Sequence, residues 1–494
     1  MRLPNTINNL LFVLAIGCFC SCQSGKEQIA RTPPNLILII ADDMNWDDSG
    51  AYGHPHIKTP NIDQLSHDGM RFTQAFLTTS SCSPSRTSII TGKYPHNTDA
   101  EQLHWPLPEG QLTFVEQLKD AGYWTGLAGK YHLGDAVRDD FDAIMEFGTA
   151  GFQVGPDGKP QKTVGDGSGC ESWIPLLKSR PDNQPFFLWL AAIDPHRPYK
   201  ENILPATHGP DDVIVPPYFP DNQEVRKDLA LYYDEISRMD GYVGKVTAAL
   251  EEQGIAENTF VLFISDNGRP FPRDKTTLYE GGIKTPWIIK WPAKVAAGSK
   301  NDNLISSVDI APTFMKLAGL APLSGFEGMD FTPLLEPAGK PIRDHIYAED
   351  HWHDFEDYTR AIRTTQFKYI KNFFPELPNT PPADALRGLT FKSMLALKKE
   401  NRLDEAQLRC FEVPRPTEEL YDILKDPNEL NNLALNPDYS EVLTDMRGKL
   451  DKMREITNDK LPEVRTPDEF DRETGTPTAA RIRPRPSKAE MMKK

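Results

Sequence analysis

The sequence predicts an α/β fold: a large, mainly parallel sheet flanked by helices, followed by a smaller C-terminal α+β domain containing an antiparallel sheet. Three observations predict it. Apolar runs of strand length recur, each closing on a polar tip, in "NLILIIADD", "QPFFLWLAAIDPH" and "NTFVLFISDNG". Helical patterns such as "LTFVEQLKDAGY" and "DLALYYDEISRMDGYVGKVTAALEEQG" lie between them, and strands alternating with helices build a parallel sheet. After Asp344 the texture changes: "TRAIRTTQFKYIKNF" alternates as antiparallel strands do, and "DYSEVLTDMRGKLDKMREITND" reads as a closing amphipathic helix.

The elements follow in order. Arg2 precedes "LLFVLAIGCFCSC", an apolar run too short for a permanent span. Residues 1–22 therefore read as a bacterial lipoprotein signal, with Cys22 the lipidated residue ahead of Cys18, and plain secretion as the alternative. Residues 23–33 read as a polar tether. The expected location is the cell envelope, either anchored at the outer membrane by lipid alone or in the periplasm. Residues 34–343 form the main α/β domain and 344–460 the α+β domain. Residues 461–494, rich in proline and charge, form a wrapping or disordered tail.

Composition sets limits. The 494 residues are 39% hydrophobic and 26% charged, as in globular proteins. A net charge of −16 argues against a nucleic-acid binder. An anionic ligand would need a local cationic pocket to offset the repulsion. Cys82, Cys170 and Cys410 are too widely spaced to read as a disulfide framework. Pairing of Cys170 with Cys410 stays open.

In "SSCSPSRTSIITG", Pro84 suits the first turn of a helix, Ser83 or Ser85 can cap it, and Thr91-Gly92 can end it. Cys82 then sits where free N–H groups and the positive dipole end point, a place for an anion and for a group that reacts with one. A small buried cysteine is the plain alternative. Asp42, Asp43, Asp266 and Asn267 put four hard oxygen donors at two strand ends, which suits Ca²⁺ or Mg²⁺. Helix capping at Asp42-Asp43 and a tight hairpin at "DNG" are the structural alternatives. In "GLAGKYHLGD" an extended backbone would turn Lys130 and His132 to one side. His196 lies beside two prolines in "DPHRPY", and Lys275 precedes a double-glycine turn. Every polar tip falls at the carboxyl end of a strand, where ligand sites of such sheets gather. These cationic and proton-handling side chains can line one anion-binding pocket.

In order along the chain, "ADD", "CSPSRTSIITG", "GKYHLG", "DPHRPY", "SDNG", "KTTLYEGG" and "ELYDILKDPNELNNLA" resemble the blocks of the type I sulfatases, the formylglycine-dependent branch of the alkaline phosphatase superfamily. The resemblance implies an alkaline phosphatase-like fold and a sulfatase activity. It implies that a maturase oxidises Cys82 to formylglycine, whose hydrate offers one hydroxyl to attack sulfur and a second whose deprotonation releases sulfate. It implies one Ca²⁺ held by Asp42, Asp43, Asp266 and Asn267 with residue 82. By the same resemblance Arg86 and Lys130 hold the hydrate, His132 is the base, His196 and Lys275 grip sulfate and protonate the leaving group, and Asp266 also activates the nucleophile. "DVIVPPYFPDN", "SRMDGYVGKV" and "SDNGRPFP" are similar to the sulfamidase (heparan N-sulfatase) branch, whereas "YEGGIKTP" looks like O-sulfatases. His351 and His353 of "EDHWHD" are candidate sugar contacts. The expected substrate is a sulfated polysaccharide or oligosaccharide, O-sulfate ahead of N-sulfate. A phosphatase on this scaffold would usually keep Ser or Thr as nucleophile and bind two zinc ions through extra histidines; the cysteine motif and the short supply of 11 histidines argue against it. A non-catalytic surface glycan-binding lipoprotein is the alternative of another class.

Overall fold

The computed structural model describes residues 33–147, 152–154, 160–162, 166–199, 204–336 and 339–480. The expected signal segment with Cys22, the expected tether up to Thr32 and residues 481–494 of the expected tail lie outside the described residues. The main sheet holds eight strands: β1 (Asn35–Ala41), β2 (Met70–Phe72), β3 (Trp124–Gly129), β4 (Ala143–Glu146), β5 (Phe186–Ala191), β6 (Thr259–Ser265), β7 (Trp287–Lys290) and β8 (Ser299–Asn301), in spatial order β8-β2-β7-β6-β1-β5-β3-β4. The run from β6 to β4 is parallel, and β7 enters antiparallel between β6 and β2. The fold class read from the sequence is the one observed.

β1 lies at the centre because both of its faces are apolar. Leu36, Leu38 and Ile40 pack into the core on one side of the sheet, Ile37, Ile39 and Ala41 into the core on the other. Such unbroken apolar strands are the mark of parallel sheets covered on both faces. The long helix Gln223–Glu252 covers one face with Val225, Leu229, Ile236, Val243 and Val246, and Asn222 caps its start by accepting from Val225 N–H at 3.1 Å.

The second sheet is antiparallel: β9 (Ile346–Asp350), β10 (Thr359–Arg363), β11 (Phe367–Asn372) and β12 (Glu418–Asp422), in that order. Ile346, Ala348, Ala361 and Ile370 face Phe76, Leu278 and Ile283 of the main domain. Tyr347, Ile362, Tyr369 and Leu420 face Leu443, Met446 and Leu450 of the closing helix Ser440–Ile456. The described residues from Pro33 onward form one compact unit. The described part of the tail wraps this domain, with Trp352 Nε1 donating to the Pro467 carbonyl at 3.1 Å and Glu356 N–H to Asp468 at 2.7 Å.

Three local expectations change. The helix carrying Cys82 runs Cys82–Thr91, with Ser81 at the N-cap and Gly92 left-handed (φ 65°) at its end. It thus starts earlier than a cap at Ser83 or Ser85 requires. His132 has φ 54°, so the segment after β3 turns where an extended one was expected. "EGGI" is a helical turn, Glu280–Ile283, and a Cβ on Gly282 would stand 2.1 Å from the Thr277 carbonyl. Cys82, Cys170 and Cys410 are all free and buried, so Cys170 and Cys410 do not pair.

Candidate active site

β1 and β6 are adjacent and in register, Ala41 opposite Ser265, so the residues that follow them emerge side by side. Asp42, Asp43, Asp266 and Asn267 are all buried there. "DNG" closes no hairpin: β6 reaches its antiparallel neighbour β7 only after a long connection, and the first helical turn after β1, Gly50–Tyr52, has Ser49 and not Asp42 or Asp43 at its N-cap. Asp43 N–H donates to Asp266 Oδ1 at 3.2 Å, and Asn267 Nδ2 donates to Asp43 Oδ1. The motif helix points its N-terminus at this cluster. Cys82 Sγ lies 3.7 Å from Asp42 Oδ1 and 3.8 Å from Asp43 Oδ1.

Each carboxylate is matched by one cation. Lys130 Nζ is 2.5 Å from Asp42, Lys275 Nζ is 2.6 Å from Asp43, and Arg86 reaches Asp266 with Nε at 2.9 Å and Nη2 at 2.8 Å. Burial pushes the Asp42 carboxyl up, but Lys130, His196 and Arg86 outweigh it and hold it below its ordinary value. At Asp266 burial wins over Arg86 and the carboxyl is raised. Burial also pushes the Cys82 thiol well up, against the pull of Lys130 and Lys275.

The donor set fits a hard cation. Asp43 Oδ2 and Asn267 Oδ1 are buried oxygens with no hydrogen-bond partner among the described residues. Such orphaned acceptors are costly unless something satisfies them. Ligand atoms of Asp42, Asp266 and Cys82 lie within 4.8 Å of one another, as do those of Asp43, Cys82 and His196. Carboxylate and amide oxygens around one point suit Ca²⁺ or Mg²⁺.

The structure brings Cys82, Arg86, Lys130, His132, His196, Lys275 and the four donors to one place. His196 Nδ1 donates to the Arg197 carbonyl at 2.5 Å, and its Nε2 lies 3.9 Å from Asp43. His353 joins the site by a 2.7 Å hydrogen bond between its Nδ1 and Ser81 Oγ at the helix N-cap. His351 does not: it lies 3.4 Å from Glu349 and 3.3 Å from Arg360, in a separate buried charge cluster with His96 and Asp459.

Two residues escaped the sequence reading. Asp384, on the short helix Ala383–Leu386, places Oδ2 3.6 Å from His196 Nε2. Burial raises its carboxyl, but His196, Lys275 and Arg197 pull it to about 2. Docking brings it there: Thr390 donates twice to Asp228, at 3.0 and 2.8 Å, and Asp228 pairs with Arg197 beside His196. Nothing in "PPADAL" signals this. The other is His104, whose Nδ1 lies 2.6 Å from His132 Nε2.

A mainly parallel sheet with this acid and cation cluster at its carboxyl ends defines a hydrolase site of the alkaline phosphatase type. The family model for Sulfatase matches residues 34–320, more than half of the chain. The chain belongs to the sulfatase family, and it is a sulfatase. A second family model, "N-sulphoglucosamine sulphohydrolase, C-terminal", matches residues 271–378. An ulvan-active sulfatase of Formosa agariphila is 29% identical over 522 aligned residues, covering 92% of this chain and 83% of the relative. The human N-sulphoglucosamine sulphohydrolase is 30% identical, covering 88% of this chain and 92% of the relative. A solved structure described as a complex with its substrate, D-glucosamine-2-N,6-O-disulfate, shares the fold at a TM-score of 0.68 and 22% identity, covering 87% of this chain and 99% of that one.

Proposed function

We propose that this sulfatase removes sulfate from a sulfated saccharide, with O-sulfate esters ahead of N-sulfate. The observation that carries the reading is the position of Cys82: at a helix N-terminus, between Asp42, Asp43 and Asp266 and among Arg86, Lys130 and Lys275. A buried, protonated thiol is a poor nucleophile. That supports the oxidation of residue 82 to formylglycine by a maturase, since the modified residue supplies a hydrate hydroxyl in the thiol's place. Asp42, Asp43, Asp266 and Asn267 would hold Ca²⁺, which when bound neutralises charge on the transferring sulfate. Arg86 and Lys130 orient the attacking oxygen. His132 takes the proton whose loss lets sulfate depart. Lys275 and His196 hold sulfate oxygens, and His196 Nε2, 3.6 Å from the Asp384 carboxylate, protonates the leaving oxygen. His353, next to Ser81, faces the sugar side.

The named relatives support a saccharide substrate: one acts on ulvan, one on N-sulphoglucosamine, and the solved complex holds a disulfated glucosamine. The match of residues 271–378 to the N-sulphoglucosamine sulphohydrolase C-terminal model favours N-sulfoglucosamine as the second reading. The signal segment supports a lipid-anchored envelope enzyme that meets glycan fragments outside the cytoplasm. The test is a panel of O-sulfated monosaccharides and oligosaccharides beside N-sulfoglucosamine, with released sulfate measured. Release from O-sulfated members confirms the proposal. Release from N-sulfoglucosamine alone reverses the order, and tight binding with no release from any member replaces it by the glycan-binding reading.

A further inference from the structure

We propose that His104 is a positioning residue for His132: its Nδ1 accepts the His132 Nε2 proton and so fixes the tautomer that leaves His132 Nδ1 as a free base. This rests on the reading of His132 as the base given above. The two ring nitrogens are 2.6 Å apart, with ring centroids at 4.8 Å and planes tilted by 45°. One proton lies in such a contact, and two assignments are open. If His104 donates, His132 carries its own proton on Nδ1. That nitrogen is buried and has no hydrogen-bond partner among the described residues, so the assignment creates an orphaned donor. If His104 accepts, His132 Nδ1 keeps a lone pair and no buried donor is orphaned. Burial, His104 and the cations Lys130, Arg86 and Lys275 hold the His132 imidazole neutral, so it has one proton to place.

The loop that carries His104 is fastened to the motif helix. His104 N–H donates to Ser83 Oγ at 2.7 Å, one residue after Cys82. Leu103 N–H donates to the Trp352 carbonyl at 3.2 Å, and the Leu103 side chain packs with Cys82 and Trp352. His104 itself has φ 66°, a left-handed conformation in which glycine and asparagine are the usual residues.

That conformation supplies the test. In His104→Asn the side-chain oxygen stands about where Nδ1 stood, and asparagine tolerates the backbone. In His104→Gly the backbone is unstrained and the acceptor is gone. Both are compared with the parent for kcat and KM on the saccharide that the panel identifies, with and without added imidazole. Histidine-selective ¹⁵N spectra of parent and variants report the tautomers without reference to activity. His104→Gly should lose about 10²-fold in kcat with KM little changed, and imidazole should restore part of it. His104→Asn should stay within a few-fold of the parent, and His132 Nδ1 should give the signal of an unprotonated ring nitrogen. The proposal is overturned by a parental kcat in His104→Gly, by equal losses in the Asn and Gly variants, or by a protonated His132 Nδ1. A His132→Gln control separates the layers: if it keeps full activity, the base role fails while the spectra still decide the His104 contact.

Discussion

Removing Asp266 should unfold the enzyme more readily, beyond silencing it. Its carboxylate accepts one hydrogen bond from Arg86 Nε at 2.9 Å, Arg86 Nη2 stands 2.8 Å from the same oxygen as an ion pair, and both side chains are fully buried. In Asp266→Ala the guanidinium keeps its charge with no carboxylate within hydrogen-bond reach, since Asp42 lies 3.8 Å from Nη2 and already holds Lys130. Breaking such a pair from one side costs about 3–5 kcal/mol. At about 2 °C of melting temperature per kcal/mol for a chain of this size, the variant should melt about 6–10 °C below the parent. The double variant Asp266→Ala/Arg86→Met removes both charges and should recover most of that loss. The assay is calorimetry in the presence of chelator, so that stabilisation by bound cation does not enter. A single variant as stable as the parent, or a double variant no better than the single, would refute the reasoning.

Other outcomes follow from the same geometry. Mass spectrometry of the tryptic peptide containing residue 82, from a host with the maturase, should show loss of the thiol, and Cys82→Ala should abolish turnover; full activity from wholly unmodified protein overturns the assignment. Chelation should stop sulfate release, and Ca²⁺ should restore it in proportion to one ion bound per chain, measured by titration calorimetry. His96 pairs with Glu349 at 2.5 Å; burial works against its proton, but Glu349 outweighs that and lifts it from 6.5 to about 9. A raised value means stability fully present below about pH 6.5 and lost as pH rises through 9, on the order of 3 kcal/mol. Urea midpoints of the parent should fall across that window, while those of His96→Gln stay flat.

The residues legible in the sequence are those whose neighbours are fixed by the strand order. Asp42-Asp43 and Asp266-Asn267 end two apolar strands, so one parallel pairing of those strands puts all four together. Lys130 and His196 follow two more strands of the same sheet, β3 and β5, and arrive by the same logic. Asp384 and His104 come from connections whose paths are set by docking, through Thr390 on Asp228 and through Ser83 on His104. A linear pattern carries no trace of such contacts. His351 and His353 show the same limit in miniature. They are two residues apart around Trp352, and hydrogen bonding sends one to Ser81 and the other to Glu349 and Arg360.

The charges of the site argue for an order of binding. Asp42, Asp43 and Asp266 are cancelled one for one by Lys130, Lys275 and Arg86, so the protein alone offers an anion little net attraction. The whole chain, at −16, repels it. A divalent cation on the orphaned oxygens of Asp43 and Asn267 would leave the cluster with a surplus of two positive charges. It would also draw Asp42 and Asp43 away from their lysines, freeing Lys130 and Lys275 to donate elsewhere. Cation and sulfate should therefore bind cooperatively, and linkage makes the coupling reciprocal. Inorganic sulfate measured by calorimetry on Cys82→Ala, which turns nothing over, should bind at least 5-fold more tightly with Ca²⁺ than with chelator, the lower end of ordinary coupling at about 1 kcal/mol. Equal affinities in the two conditions would mean that the lysines already face the anion unaided, and that the three charge pairs do not govern entry to the site.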